Sequence, residues 1–160
     1  MIRDATPEDF AAILRLNEAS VHFLSALTEA RLAALHAMAA YHRVVVIGDE
    51  VVAFLLALRE GYAYESVNYR WFAAAYAQFL YIDRVVVSVS ARGRGLGRAL
   101  YDDLFAFARR CNATQITCEF DVDPPNEASR KFHAKYGFVE VGSQRVGSEK
   151  KRVSLQAVSV

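Results

Sequence analysis

Gly93, Gly95 and Gly97 stand at alternate positions, interleaved with Arg92, Arg94, Leu96 and Arg98. Residues without a β-carbon let a ligand approach the backbone and accept left-handed conformations. Hydropathy predicts a strand before this run and a helix after it, so successive N–H groups at the helix start converge on an anion. A phosphate or pyrophosphate is the ligand this chemistry takes; the plain alternative is a tight strand-to-helix turn. A Walker loop is excluded, since no lysine followed by serine or threonine closes the run. A dinucleotide fingerprint would need glycine where Arg98 or Leu100 stands. Glu119 does lie about 20 residues on, where a ribose-binding acid belongs, so that alternative stays open.

Carboxylates that could move protons sit on the two strands flanking this unit. Asp83 lies in the apolar stretch 79–87 beside Arg84, where it serves either as a general base or as half of a salt bridge. Glu119 and Asp121 are two apart in the β-rich stretch 115–122 and share a face; base chemistry and simple solvation are the two options. Cys111 and Cys118 show neither CxxC nor zinc-ligand spacing, and Cys118 reads as a packing residue without an activating neighbour. His22, His36 and His42 have no metal-site spacing with carboxylates, so they read as structural and no metal is expected. Arg109-Arg110 and Lys150-Lys151-Arg152 read as solvated faces.

The scaffold that must position these groups is legible from caps and periods. Residues 1–5 predict a short strand. Thr6-Pro7-Glu8-Asp9 is a helix start, with a hydroxyl at the N-cap, proline at N1 and carboxylates at the positive dipole end. Phe10, Ile13, Leu14 and Asn17 then follow at helical spacing, and Thr28-Glu29 opens a second helix over Leu32, Leu35, His36 and Met38. From Tyr41 the period changes to two antiparallel strands, 43–47 and 51–58, joined at Gly48-Asp49. The stretch 59–80 holds an aromatic cluster and a short helix around 69–76; it either walls an acceptor pocket or packs against the sheet or a second subunit. After the glycine run a helix carries Leu96, Leu100, Leu104 and Phe107, and 115–122 returns as a parallel strand by right-handed crossover. A helix ending at Tyr136 has Ala128, Phe132 and Tyr136 on one stripe with Gly137 as its left-handed cap. Strands 138–146 and 151–158 form a final hairpin around Gly147-Ser148.

The whole is 160 residues, with 19 basic against 18 acidic side chains and 54% hydrophobic residues. These values predict one α/β domain over 1–160 with a mixed sheet, stable without disulfide or metal. Near-neutral charge argues against a nucleic-acid partner. No apolar run reaches the ~20 residues of a membrane span, the opening segment lacks a secretory pattern, and two cysteines suit a cytoplasmic location.

Arg92-Gly93-Arg94-Gly95-Leu96-Gly97 resembles the R/Q-x-x-G-x-G/A signature of the GNAT superfamily of acyl-CoA-dependent N-acyltransferases. Residues 126–138, an asparagine followed by a helix ending in Gly-Phe, resemble that superfamily's second motif. The resemblance implies a mostly antiparallel sheet flanked by helices, with a splayed strand pair forming the CoA cleft. It further implies acetyl-CoA as acyl donor, with its pyrophosphate on the amides of residues 93–98. Its pantetheine arm would lie along Val85, Val86 and Val87, with Asn126 helping to hold it. The expected reaction is direct attack of a primary amine on the thioester. His133 falls where similar proteins place a tyrosine that protonates the leaving thiolate, the plain alternative being an exposed helix residue between Lys131 and Lys135; Tyr136, three residues on, is the substitute donor, with core packing on the Ala128 stripe as its other role. Asp83 and Glu119 are the candidate bases. A homodimer is an open option, as is a non-catalytic CoA-sensing or partner-binding module on the same fold.

Overall fold

The computed structural model describes residues 1–21, 24–148 and 150–160. Its strands are β1 (Ile2–Asp4), β2 (Tyr41–Ile47), β3 (Glu50–Arg59), β4 (Leu80–Val87), β5 (Gln115–Asp123), β6 (Val139–Val146) and β7 (Lys151–Ser159). Its α-helices are α1 (Phe10–Glu18), α2 (Glu29–Met38), α3 (Val67–Ala75), α4 (Leu96–Arg110) and α5 (Glu127–Lys135). The strands form a seven-stranded sheet in the order β1-β2-β3-β4-β5-β7-β6. β4 and β5 run parallel, paired at Leu80↔Ile116 and Tyr81↔Thr117, and the other recorded pairings are antiparallel. No α-helix among the described residues is long and apolar enough to cross a membrane. The chain's contacts divide into two compact units, Met1–Leu58 with Ile82–Phe107 and Arg59–Tyr81 with Ala108–Val160.

In the first unit Thr28 caps α2 as predicted, whereas Thr6-Pro7 opens a 3₁₀ turn over Pro7–Asp9 that precedes α1. The Thr6 N–H donates to Asp9 Oδ2 at 2.9 Å, and Thr28 Oγ1 accepts from the Arg31 N–H at 3.1 Å. The β2–β3 hairpin closes through Gly48 at φ +63°, the left-handed conformation its two-residue turn needs. Ile13, Leu32, Leu35, Phe54, Leu55, Leu100 and Leu104 are wholly buried. At the sheet surface Tyr41 and Arg43 both donate to Asp103 Oδ2 at 2.7 Å.

His36 and His42 join this unit as a pair, their Nδ1 atoms 2.8 Å apart. His22 lies outside the described residues. In the His36–His42 hydrogen bond one ring donates and the other accepts. His42 Nε2 is buried with no hydrogen-bond partner among the described residues. Burial, then the like charge of His36, pushes His42 down from 6.5 to about 4. The unfolded chain therefore takes up protons below pH ~6.5 that the fold refuses; stability is full above that pH and declines as pH falls towards about 4. The loss from this group at pH 5 is about 2 kcal/mol. His42→Leu should shrink the fall in unfolding free energy between pH 7 and 5 by that amount, read by urea denaturation; an unchanged fall would assign the acid sensitivity elsewhere.

In the second unit β5 pairs with β7 from Gln115↔Ser159 to Asp123↔Arg152, and the β6–β7 hairpin turns through Gly147 and Ser148, each at φ +61°. Tyr64, Tyr69, Phe72, Phe79 and Tyr81 form one buried cluster with centroids 5.4–6.5 Å apart. These five rings pack against one another, whereas Tyr62 is exposed. Trp71 lies over Gly142, where an added β-carbon would strike Cη2 at 2.9 Å. The expected α5 stripe needs correction. Ala128 is exposed, Phe132 and Tyr136 are half-buried, and His133 is the buried residue of the helix.

Candidate functional site

The glycine run begins where β4 ends. A 3₁₀ turn over Val89–Ala91 leads into Gly93 at φ +79° and Gly95 at φ +75°, and α4 starts at Leu96. Both glycines occupy conformations that side chains resist. A β-carbon at either would project into open space, with no protein atom within 4 Å. The vacant space above this backbone is the kind an approaching anion requires. The Gly95 carbonyl accepts from the Ala99 N–H at 2.9 Å, making Gly95 the residue at which the helix ladder begins. The amides of Leu96, Gly97 and Arg98 therefore belong to the first turn, whose N–H groups have no intrahelical acceptor. Gly97 sits inside the helix. Arg92, Arg94 and Arg98 have exposed positions around the loop. Immediately upstream, Val86 is buried while Val85 and Val87 are half-buried. The residues present thus fit a pyrophosphate-bearing ligand.

Asp83 belongs to the same unit, and its carboxylate is engaged. Arg84 Nε donates to Asp83 Oδ2 at 2.7 Å, with the two side chains only 5% and 4% exposed for arginine and aspartate. The guanidinium also donates to Asn17 Oδ1 at 2.9 Å and to the Ser25 carbonyl and hydroxyl at 3.3 and 3.2 Å. Of the two roles expected for Asp83, the salt bridge is the one this geometry forms.

Glu119 and Asp121 lie in the second unit, and neither is a simply solvated carboxylate. Tyr81 Oη is 2.9 Å from both Glu119 oxygens, and Asn68 Nδ2 donates to Oε1 at 3.0 Å. Asp121 is 9% exposed, with Lys151 Nζ 3.2 Å from Oδ2. Lys151 is accordingly an ion-pair partner and not a purely solvated charge. Glu119 is half-buried and set in a strand, with Tyr81 and Asn68 as hydrogen-bond donors to its carboxylate. Asn68, donated to by Gln144 Nε2 at 2.8 Å, carried no signal in the sequence, because its partners are remote along the chain.

α5 carries the remaining candidates. Asn126 is its N-cap, Oδ1 accepting from the Ser129 N–H at 3.3 Å, so one end of this side chain serves the helix. His133 lies among Phe120, Phe132 and Phe138 at centroid distances of 5.1–5.7 Å. Its Nδ1 is 2.7 Å from the Ser129 carbonyl oxygen, which can only accept, so Nδ1 carries the proton and neutral Nε2 is an acceptor. Burial lowers the imidazole's pKa against the weaker opposing effect of that hydrogen bond. At neutral pH this arrangement holds a neutral ring with no proton on Nε2 to give. Tyr136 follows the helix, its ring 5.4 Å from that of Phe132; a phenol keeps its proton to about pH 10. Cys118 is buried and its thiol is pushed up by burial and by Glu119, as befits packing.

A protein-family comparison matches residues 7–138 to the acetyltransferase (GNAT) family. No curated protein matches the chain. Among solved structures, Ard1 of Thermoplasma volcanium is similar at 22% identity with TM-score 0.82, the match covering 100% of this chain and 97% of that one. The ribosomal-protein-alanine N-acetyltransferase of Brucella melitensis is similar at 22% identity and TM-score 0.75, covering 100% and 99%. Naa50 of Arabidopsis thaliana, in complex with the bisubstrate analogue CoA-Ac-MVNAL, is similar at 18% identity and TM-score 0.76, covering 100% and 98%. The mixed α/β arrangement with its mostly antiparallel sheet is the fold of these proteins.

Proposed function

This chain belongs to the GNAT acetyltransferase family, and on that footing we propose that it transfers an acetyl group from acetyl-CoA to a primary amine by direct attack on the thioester. The observation that carries the proposal is the left-handed Gly93–Gly95 backbone opening α4 in a family member. When bound, acetyl-CoA supplies an activated acetyl thioester. Residues 92–98 hold the pyrophosphate by backbone N–H groups with arginine charge around them, and the β4 backbone at Val85, Val86 and Val87 receives the pantetheine arm. Asn126 assists at the pantetheine, alongside its capping role. Glu119 takes a proton from the acceptor ammonium, and the neutral amine so formed attacks the thioester carbonyl. Of the two donors for the leaving sulfur, Tyr136 is the one that holds a proton at neutral pH, and we assign the acid to it in preference to His133. An α-amine at a peptide N-terminus is the acceptor class to try first. The Brucella melitensis enzyme is named for protein alanine, and the Arabidopsis thaliana structure holds a CoA-linked peptide.

The donor half is tested by thermal unfolding with acetyl-CoA, CoA and NADH in parallel. Ligand at 100 times its Kd adds about 2.7 kcal/mol, which for a chain of this size raises Tm by roughly 5–10 °C. Acetyl-CoA or CoA should do this and NADH should not. Gly95→Val should abolish the shift, because its side chain fills the space above the loop and resists the left-handed backbone. Stabilisation by NADH alone would return the loop to the dinucleotide alternative. Stabilisation by CoA without turnover of any amine would make the chain a CoA-sensing module.

A further inference from the structure

Four residues remote in sequence form one hydrogen-bonded line across the second unit. Gln144 on β6 donates to Asn68 Oδ1 on α3 at 2.8 Å, and Asn68 Nδ2 donates to Glu119 Oε1 on β5 at 3.0 Å. Tyr81 on β4 closes on the same carboxylate at 2.9 Å. The direction of the line is fixed by its chemistry. Turning the Asn68 amide round would set its oxygen against an ionised carboxylate, acceptor facing acceptor. With Asn68 oxygen towards Gln144, its amino group must face Glu119. We infer that Asn68 is a positioning residue for Glu119, with its amide orientation set by Gln144, and that it holds this carboxylate ionised and aimed for proton removal from the acceptor.

This inference rests on Glu119 being the base. The groups that face Glu119 leave Asn68 a distinct share in its charge state. α3 presents Asn68 and, through Tyr81, Tyr69, whose ring is 5.7 Å from that of Tyr81. β4 presents Tyr81 itself, and β7 places Leu155 in register opposite. Along β5 stand Cys118 and Asp121, the latter paired with Lys151. A hydrogen bond to the charged form favours that form, so its loss must raise the proton affinity of Glu119.

Protein labelled with carboxyl-13C glutamate allows Glu119 to be titrated by NMR without any acceptor, its resonance identified by its disappearance in Glu119→Gln. Asn68→Ala should raise the midpoint by about one pH unit, a tenfold change in proton affinity. Gln144→Leu should raise it by less, and the double variant should match Asn68→Ala, since Gln144 acts only through Asn68. Thermal unfolding confirms that each variant is folded, and Asn68→Asp, which keeps the size but adds a like charge, should raise the midpoint further. An unmoved midpoint in folded Asn68→Ala overturns the inference even if Glu119→Gln abolishes turnover. Full turnover by Glu119→Gln overturns the base assignment and the inference with it, whatever the midpoints show.

Discussion

Arg84→Met is expected to lower the unfolding free energy by about 3–5 kcal/mol, the cost of leaving a buried charge without its partner. The figure follows from what remains behind. Asp83, 4% exposed on its side chain, loses the guanidinium at 2.7 Å. Asn17, itself 1% exposed, loses the donor to its Oδ1. The Ser25 carbonyl and hydroxyl lose theirs as well, although Asn17 Nδ2 still donates to that carbonyl at 3.1 Å. Arg84→Lys should recover only part of the loss, since a point-like ammonium cannot reproduce the planar fork that serves these acceptors together. Asp83→Asn combined with Arg84→Met should recover more than either partner change predicts by addition, because the stranded charge is gone. Urea denaturation of the set measures each value. A loss below about 1 kcal/mol for Arg84→Met would put this pair in the class of surface ion pairs and reopen Asp83 as a proton acceptor.

The elements that could be read in the sequence are those whose causes are local. Thr6-Pro7, Thr28-Glu29, Gly48-Asp49, Gly137 and Gly147-Ser148 each act on residues within one turn, and each acts where the sequence places it. The period of two marks β2 and β3 within two residues of their ends. The glycine run is legible for the same reason: its backbone conformations are set by the glycines themselves. Its extent is narrower than expected, since Gly93 and Gly95 take positive φ while Gly97 is helical.

What escaped the sequence is non-local. Asn68 and Gln144 are 76 residues apart, and Arg84 and Asn17 are 67 apart; no spacing rule joins them. α5 shows the related limit of a hydropathy stripe. Its period selects Ala128, Phe132 and Tyr136, yet the fold buries His133, because the Ser129 carbonyl one turn back satisfies Nδ1 and three phenylalanines take the ring. A polar atom satisfied inside its own helix is invisible to an apolar period and decides which face turns inward. That same burial lowers the imidazole's pKa.

Glu119→Gln should reduce turnover by about 10²–10³ with a lysine-type acceptor at pH 7, within the range that positioned acid-base groups supply. The size of the loss depends on the acceptor's own proton affinity. An ε-ammonium of pKa ~10.4 is neutral about once in 2,500 molecules at pH 7, a cost of roughly 4.6 kcal/mol that a base helps to meet. A peptide α-amine, with pKa about 7.7–8.0, is already neutral in roughly one molecule in ten. The same substitution should therefore cost a peptide N-terminus less, on the order of 10-fold, and the deficit for either acceptor should narrow as pH rises towards the amine's own pKa. Glutamine retains the shape and can still engage Tyr81 and Asn68, so acetyl-CoA-induced stabilisation should persist and separate lost proton transfer from lost folding. Thiol release measured from pH 6 to 10 with a lysine peptide and a free N-terminal peptide provides both curves. Parallel curves for wild type and Glu119→Gln would mean that the amine loses its proton to solvent, and Glu119 would then be a structural acceptor for Tyr81 and Asn68 alone.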